Sequence, residues 1–118
     1  MSAHRILHDL YRAPKRMADP GNAGRINVSQ DLQILEMVSA ASESRTLENP
    51  TKAGIRFALR LFTDGGDVAV TAAAGLNVTD NTVATFEDAS DMLSLISVST
   101  SSGYRWQIEV NVGAVALS

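Results

Sequence analysis

The sequence contains no cysteine, and it has only two histidines and six aromatic residues among its 118 positions. Without cysteine, disulfide bonds and thiolate metal sites are excluded. Long hydrophobic runs are also missing. The longest stretches without a charged residue, 68–79 and 92–104, are shorter than the roughly 18 apolar residues that a membrane-spanning helix requires. The first twelve residues lack the apolar segment of a secretory signal, so we expect a soluble, non-secreted protein with no membrane partner.

Recognisable catalytic patterns are equally scarce. His4 and His8 have a spacing that would place both imidazoles on one face of a helix, as in some zinc sites, but no third ligand pattern accompanies them. No Gly-x-Ser-x-Gly segment presents a nucleophile, and no glycine-rich phosphate-binding pattern occurs. We therefore expect a protein that is not an enzyme, with no catalytic residue, metal, cofactor or small-molecule substrate.

One acidic cluster has two interpretations. Glu87, Asp88 and Asp91 fall within five residues, and carboxylate oxygens are ligands that calcium prefers. Their spacing does not match an EF-hand loop, so a solvated turn is the favoured interpretation and calcium binding is the alternative.

The charges divide the chain into two parts. Residues 1–25 have a net charge of +3, whereas the remaining residues have a net charge of −6. The segment around residues 13–25 holds two of the three prolines and few large apolar side chains, which is typical of a linker or arm. We predict a basic N-terminal arm over residues 1–25, with a possible short amphipathic helix in residues 1–12. Nucleic acid is a disfavoured partner because the acidic remainder lacks interleaved basic and aromatic positions.

From residue 26 onward, apolar and polar residues alternate, which predicts β-strands with one buried face. The two clearest runs place these residues on the inner face: Ile55, Phe57, Leu59 and Leu61 in one, and Tyr104, Trp106, Ile108, Val110 and Val112 in the other. In residues 26–38, Val28, Leu32, Ile34 and Val38 share the predicted inner face of a strand. A helix over residues 31–41 is the alternative. Gly65 and Gly66 predict a two-residue hairpin.

Short strands separated by turns predict an all-β fold, an antiparallel sandwich or barrel-like domain over residues 26–118. Because this core would begin after Arg25, removal of residues 1–25 is expected to leave the stability of the domain nearly unchanged.

Three runs in residues 45–118 carry a resemblance to a known class: RTLENPTKAGIRFALRLFTDGGDVAVTAAAGLNV, NTVATFEDASDMLSLISV and GYRWQIEVNVGAVALS. They resemble small β-rich virion proteins of tailed bacteriophages, and most closely the capsid decoration, or cement, proteins. The resemblance implies a β-tulip-like domain, a homotrimer, and a location on the capsid surface after synthesis in the host cytoplasm. It also implies that the protein bridges adjacent major capsid proteins and stabilises the shell. A head-fibre or tail component acting as a binding module is the alternative.

Two groups of residues follow as candidates for contacts. The arm would contact the capsid through Arg5, Ile6, Leu7, Leu10, Tyr11, Arg12, Lys15, Arg16 and Arg25. The core and the oligomer interface would use Phe57, Leu59, Leu61, Trp106 and Ile108. A small-residue stretch, 72–75, would allow close approach between subunits.

Overall fold

The computed structural model describes residues 14–77 and 81–118, which form ten β-strands and no helix. The strands make two five-stranded sheets. The front sheet has the order β1-β3-β5-β8-β9, formed by Lys15–Met17, Gln33–Ser39, Arg56–Asp64, Met92–Thr100 and Gly103–Val112. The back sheet has the order β10-β7-β6-β4-β2, formed by Ala116–Leu117, Val83–Phe86, Val68–Thr71, Glu43–Leu47 and Gly24–Ile26. The predicted all-β sandwich is confirmed.

The first six strands wind as a coil of three turns. In each turn a front strand leads directly into a back strand: β1 into β2, β3 into β4, and β5 into β6. Neighbouring turns therefore pair in parallel within both sheets. Strands β7 to β10 complete the sheets by antiparallel pairing. The sheets are thus mixed, and the antiparallel arrangement predicted from the short strand spacing holds only for the second half of the chain.

The predicted hairpin at Gly65 and Gly66 is wrong, because β5 and β6 lie in different sheets and this segment is a corner between them. The glycines are required by close packing of that corner on the preceding one. A Cβ atom on Gly65 would lie 2.2 Å from the Ser39 carbonyl oxygen, and one on Gly66 would lie 2.3 Å from the Ala41 carbonyl carbon. Adjacent glycines predict a turn correctly, but they do not indicate which strands the turn joins.

Residues 14–26 contribute an end strand to each sheet. β1 pairs with β3 and β2 pairs with β4, so the sheets extend into residues assigned to the arm on sequence grounds. Such pairing relies on backbone hydrogen bonds, which any residue except proline can make, so a segment poor in apolar side chains can still form a strand. The possible helix in residues 1–12 lies outside the described residues.

The core lies between the two sheets. Ile55, Phe57, Leu59 and Leu61 are all buried, as their alternation predicts. Trp106 is fully buried, with its ring centroid 6.0 Å from that of Phe57. Its indole Nε1 donates a hydrogen bond of 3.0 Å to the Glu48 carbonyl oxygen, which satisfies the polar atom of this large side chain.

Strand β3 has the opposite inner face from the one predicted. Leu35 and Met37 are fully buried, whereas Ile34 is half-buried and Val38 is 51% exposed. Both parities of this segment carry apolar residues, so alternation alone does not determine the inward face. The alternative helix over residues 31–41 is also wrong, because Gln33–Ser39 is a strand that pairs along its length with β5.

Strand β9 follows its predicted alternation only in part. Trp106 is buried and Ile108 packs against the core, but Val110 and Val112 are 49% and 45% exposed. The cause is a β-bulge: Ile108 pairs with Leu95 and Val110 pairs with the adjacent Ser94, which leaves Glu109 as an extra residue. Beyond this bulge the side chains exchange faces, so the two valines point outward. Tyr104 is also 40% exposed, near the beginning of the strand.

Candidate interaction face

Large exposed apolar side chains of the described residues occur only on the front sheet. They are Val38, Phe62, Tyr104, Val110 and Val112. All except Tyr104 point away from the core, on the surface that we call the front face. Half-buried Ile34, Ala58, Met92 and Ile96 lie on the same face, because each alternates with a buried neighbour on its strand.

The outward surface of the back sheet, the back face, has a different composition. One row across it consists of Ser44, Ala69, Thr85 and Ala116, and the next row consists of Arg25, Thr46, Thr71 and Val83. Apart from Arg25 and the half-buried Val83, these side chains are small, so the back face offers little apolar area to a partner. The two sheets bury a common core, but only the front sheet also presents large apolar groups to solvent. Exposed apolar patches of this kind mark interaction sites in soluble proteins.

Charged side chains form ion pairs on the front face. Glu36 forms ion pairs with Arg16 on one side and with Arg60 on the other, the latter at 2.7 Å. The Arg60 guanidinium also lies 5.5 Å from the ring centroid of Phe62, in cation–π geometry. At the beginning of β5, Arg56 Nε lies 3.4 Å from Oε1 of Glu109 on β9. These partly exposed ion pairs contribute little stability, but they hold the charged side chains in place beside the apolar groups.

A groove of about 300 Å³ crosses the front face. It runs from Pro14, at one edge of the sheet, across the central strands to Val110 at the other edge. The residues that line it are Pro14, Leu32, Gln33, Arg56, Phe57, Ala58, Ser94, Leu95, Glu109 and Val110. The groove combines apolar walls with one positive and one negative side chain, so it can accept an amphipathic occupant.

The predicted contact residues are distributed unevenly. Lys15 and Arg16 lie on β1, and Arg25 lies on β2, where it forms an ion pair with Glu48. Since Arg16 and Arg25 have partners within the chain, Lys15 is the described arm cation for which no ion pair is formed among the described residues. Arg5, Ile6, Leu7, Leu10, Tyr11 and Arg12 lie outside the described residues.

The predicted core residues Phe57, Leu59, Leu61 and Trp106 are buried within the sandwich, and Ile108 packs at its margin. The front-face residues Val38, Phe62, Val110 and Val112 were not predicted as contacts. Phe62 could have been found, because it lies opposite in parity to the buried Leu59 and Leu61. Val110 and Val112 could not, because their outward direction depends on the bulge at Glu109.

The corner between β1 and β2 is held by buried charges. The Arg45 side chain is fully buried and contacts both Asp19 and Glu43. Burial would raise the pKa of the Asp19 carboxyl, but hydrogen bonds from Arg45, Val38 N and Gly21 N outweigh it and hold the pKa below its ordinary value. Burial would likewise lower the pKa of Arg45, but Asp19 and Glu43 raise it. Both side chains therefore remain charged, and this corner is a structural element.

The acidic turn does not gather its carboxylates around a common point. Asp91 Oδ2 instead accepts hydrogen bonds from the backbone N–H groups of Glu87 and Asp88, at 3.3 and 3.2 Å. Within residues 14–77 and 81–118, no group of three or more acidic or histidine side chains is arranged to hold a metal ion. The same residues contain no helix that is long and apolar enough to cross a membrane.

Comparison with known proteins adds no family to this description. No protein-family model matches the chain, and no curated protein matches it.

Proposed function

We propose that the protein is a structural component of a bacteriophage virion, and specifically a capsid decoration protein that binds the major capsid protein as a homotrimer. The proposal rests on the resemblance of residues 45–118 to such proteins and on the character of the front face. Its activity would be to bind the outer capsid surface, bridge adjacent major capsid proteins and stabilise the shell.

The observation that carries the proposal is the exposure of Val38, Phe62, Val110 and Val112 on a sandwich whose core is already complete. Large apolar side chains grouped on one face of a soluble protein mark an interaction site. A decoration protein needs a stable domain, a surface that a neighbouring subunit can cover, and a segment that reaches the next capsomer. Residues 1–13, with Ile6, Leu7, Leu10 and Tyr11, would provide that segment.

The charges of the segment suit this role in a limited way. Arg5 and Arg12 would pair with carboxylates of the shell, but exposed ion pairs are each worth only about 0–1 kcal/mol. The apolar side chains should therefore determine the affinity, and the arginines its sensitivity to salt. Leu10→Asp should weaken attachment more than Arg12→Ala.

The experiment is to mix the purified protein with shells that lack it and to measure occupancy by cryo-electron microscopy and quantitative mass spectrometry. We expect density at regular positions of the capsid lattice, and greater resistance of the decorated shell to heat. A chain without residues 1–13 should fail to attach. Copies restricted to a vertex or to the tail would instead support the head-fibre or tail alternative, and absence from the particle would overturn both.

A further inference from the structure

The front face carries an excess of positive charge. Among the described residues, four arginines and two glutamates lie at its outward positions, as the alternation on the strands and the ion pairs place them. They are Arg16, Arg56, Arg60, Arg105, Glu36 and Glu109. The whole chain has a net charge of −3, so the excess of cations on this face is offset by a larger excess of anions elsewhere. The front face thus differs from the rest of the molecule in the sign of its charge.

The two glutamates compensate only part of this positive charge. Glu36 lies between Arg16 and Arg60 and pairs with both, so one carboxylate serves two guanidinium groups. The other glutamate pairs with Arg56 alone. Arg105 forms no ion pair among the described residues, and its buried Nε has no hydrogen-bond partner there. A guanidinium has five N–H donors, so donors remain for acceptors that come from outside the chain.

The arginines lie directly beside the exposed apolar side chains. Arg16 shares a row across the sheet with Val110, and Arg60 shares the next row with Val112. The Arg60 guanidinium also lies 5.5 Å from the ring centroid of Phe62. A partner that covers these apolar groups must therefore also remove water from the neighbouring guanidinium groups.

The chemistry of the partner follows from this arrangement. Removal of water from a charged group costs free energy unless an opposite charge with hydrogen-bond acceptors replaces it. Carboxylates provide such acceptors, and they pair with a guanidinium through two hydrogen bonds. We propose that the front face binds a protein surface on which apolar side chains are combined with carboxylates that outnumber the cations.

The charges also favour a different protein over a second copy of this chain. Two front faces packed together would bring like charges into contact, which is costly at an interface. The back face of a second copy offers small side chains and Arg25, and neither complements the front face. Nucleic acid supplies anions but no apolar cover for Phe62 or Val112. An anionic bilayer would place phosphates against the outward carboxylates of Glu36 and Glu109.

This inference deepens the proposed function without depending on it for its test. If the protein decorates a capsid, the complementary surface belongs to the major capsid protein, and that identification rests on the proposed function. The preference of the front face for carboxylates among apolar groups is measured without any particle. A failure of this preference and a failure of capsid attachment are therefore distinguishable.

The probe is a monolayer on gold that presents carboxylates mixed with methyl groups, and binding of the full-length protein is measured by surface plasmon resonance at low salt. Two double substitutions remove the same charge from different faces. Arg56→Gln with Arg60→Gln should weaken binding about fivefold to tenfold. Arg25→Gln with Lys52→Gln, away from the front face, should change it by less than about twofold. Equal loss in the two double variants, or no binding of the native protein, would overturn the proposal.

A gain of binding excludes misfolding as an explanation. Glu109→Gln removes an anion from the front face and should strengthen binding to the mixed monolayer. Glu48→Gln is the matched control, because it removes the same charge beside Arg25 on the back sheet. No gain for Glu109→Gln, or an equal gain for Glu48→Gln, contradicts the proposal.

The apolar contribution and the other partners are tested on further surfaces. Phe62→Ser should weaken binding to the mixed monolayer and leave binding to a monolayer of carboxylates alone unchanged. Vesicles of anionic phospholipid and double-stranded DNA are expected to bind more weakly than the mixed monolayer. Binding of either one as tightly as the mixed monolayer, with the same loss in the Arg56 and Arg60 double variant, would assign the face to that partner and overturn the proposal.

Discussion

The guanidinium of Arg45 and the carboxylate of Asp19 meet through two hydrogen bonds, Nε to Oδ1 at 2.7 Å and Nη2 to Oδ2 at 2.9 Å. Arg45 also donates to the Val38 carbonyl oxygen at 3.2 Å, and Asp19 accepts from the Val38 N–H at 2.9 Å. Both backbone groups of an exposed front-face residue are therefore fixed by this pair. The corner that joins the first two strands also positions part of the interaction face.

Loss of this carboxylate should destabilise the domain. Asp19→Asn leaves Arg45 fully buried with only Glu43 as an anionic partner, at 3.2 Å. We expect a loss of about 3 kcal/mol in the free energy of unfolding, the low end for breaking a buried pair. Urea denaturation at neutral pH measures this loss. Asp67→Asn, at an exposed carboxylate, is the control and should change the stability by no more than about 0.5 kcal/mol.

The same carboxylate predicts a dependence on acid. The pKa of Asp19 in the folded protein lies below its ordinary value of 3.8. The contribution of this carboxylate to stability is therefore complete above pH 3.8, and it is lost as the pH falls through the pKa of Asp19 in the folded protein. When urea denaturation is repeated at decreasing pH, the free energies of unfolding of the native protein and Asp19→Asn should approach each other. This change should occur between pH 3.8 and the pKa of Asp19 in the folded protein. A difference that stays constant down to about pH 2 would show that the carboxylate is not linked to folding.

Truncation at two positions should have unequal effects. Removal of residues 1–13 leaves both end strands and Asp19 in place. Removal of residues 1–25 eliminates β1, most of β2 and the partner of Arg45, so we expect it to cost about 3 kcal/mol or more. Thermal melting of the two truncated proteins provides the comparison. Equal melting of the two would restore the sequence-based expectation that the core begins after Arg25.

The bulge in β9 predicts opposite outcomes at two neighbouring positions of the same parity. Ile108→Asp would place a charge against the core and should cost at least about 2 kcal/mol. Val110→Asp would place it in solvent and should change stability by about 0.5 kcal/mol or less. Denaturation midpoints of the two variants decide the question. Equal destabilisation would mean that β9 alternates without the extra residue at Glu109.

Trp106 should be the most important aromatic side chain of the core. Trp106→Ala removes the contact with Phe57 and the hydrogen bond to Glu48, and we expect a loss of about 3–5 kcal/mol. Tyr104→Ala, two residues earlier on the same strand, is the matched control because its side chain is partly exposed. Chemical denaturation should separate the two variants clearly, and similar midpoints would place Trp106 outside the core.

The all-β class was predictable because alternation over 55–61 reports a half-buried strand directly. The winding of the chain was not predictable. Whether Gly65 and Gly66 turn a strand back into its own sheet or carry it across to the other depends on contacts with the corner at Ser39 and Ala41, which are distant in sequence. Likewise, Lys15–Met17 has no apolar pattern, and it becomes a strand only because β3 offers a free edge.

From the sequence, a contact residue could be predicted only where its apolar character and its outward position in the strand alternation are both visible. The apolar content of residues 1–13 is visible in the sequence, and so is the outward parity of Phe62. The exposure of Val110 and Val112 is not, because a single unpaired residue reverses the faces of everything beyond it. The exchange of faces turns Asn111 toward the end of the strand. Its side chain accepts a hydrogen bond from Val115 N at 2.8 Å and donates one to Val115 O at 3.0 Å, which holds the connection to the back sheet.

The coil of three turns also determines how the domain can open. Its first turn, β1 and β2, lies at the end of both sheets and pairs only with the second turn. This turn can detach as one cooperative unit while the pairings among the other eight strands remain intact. Amide protons of Met17 and Ile26 should therefore exchange with solvent earlier than those of Leu59 and Val70, through a partial opening that leaves the eight-stranded remainder closed.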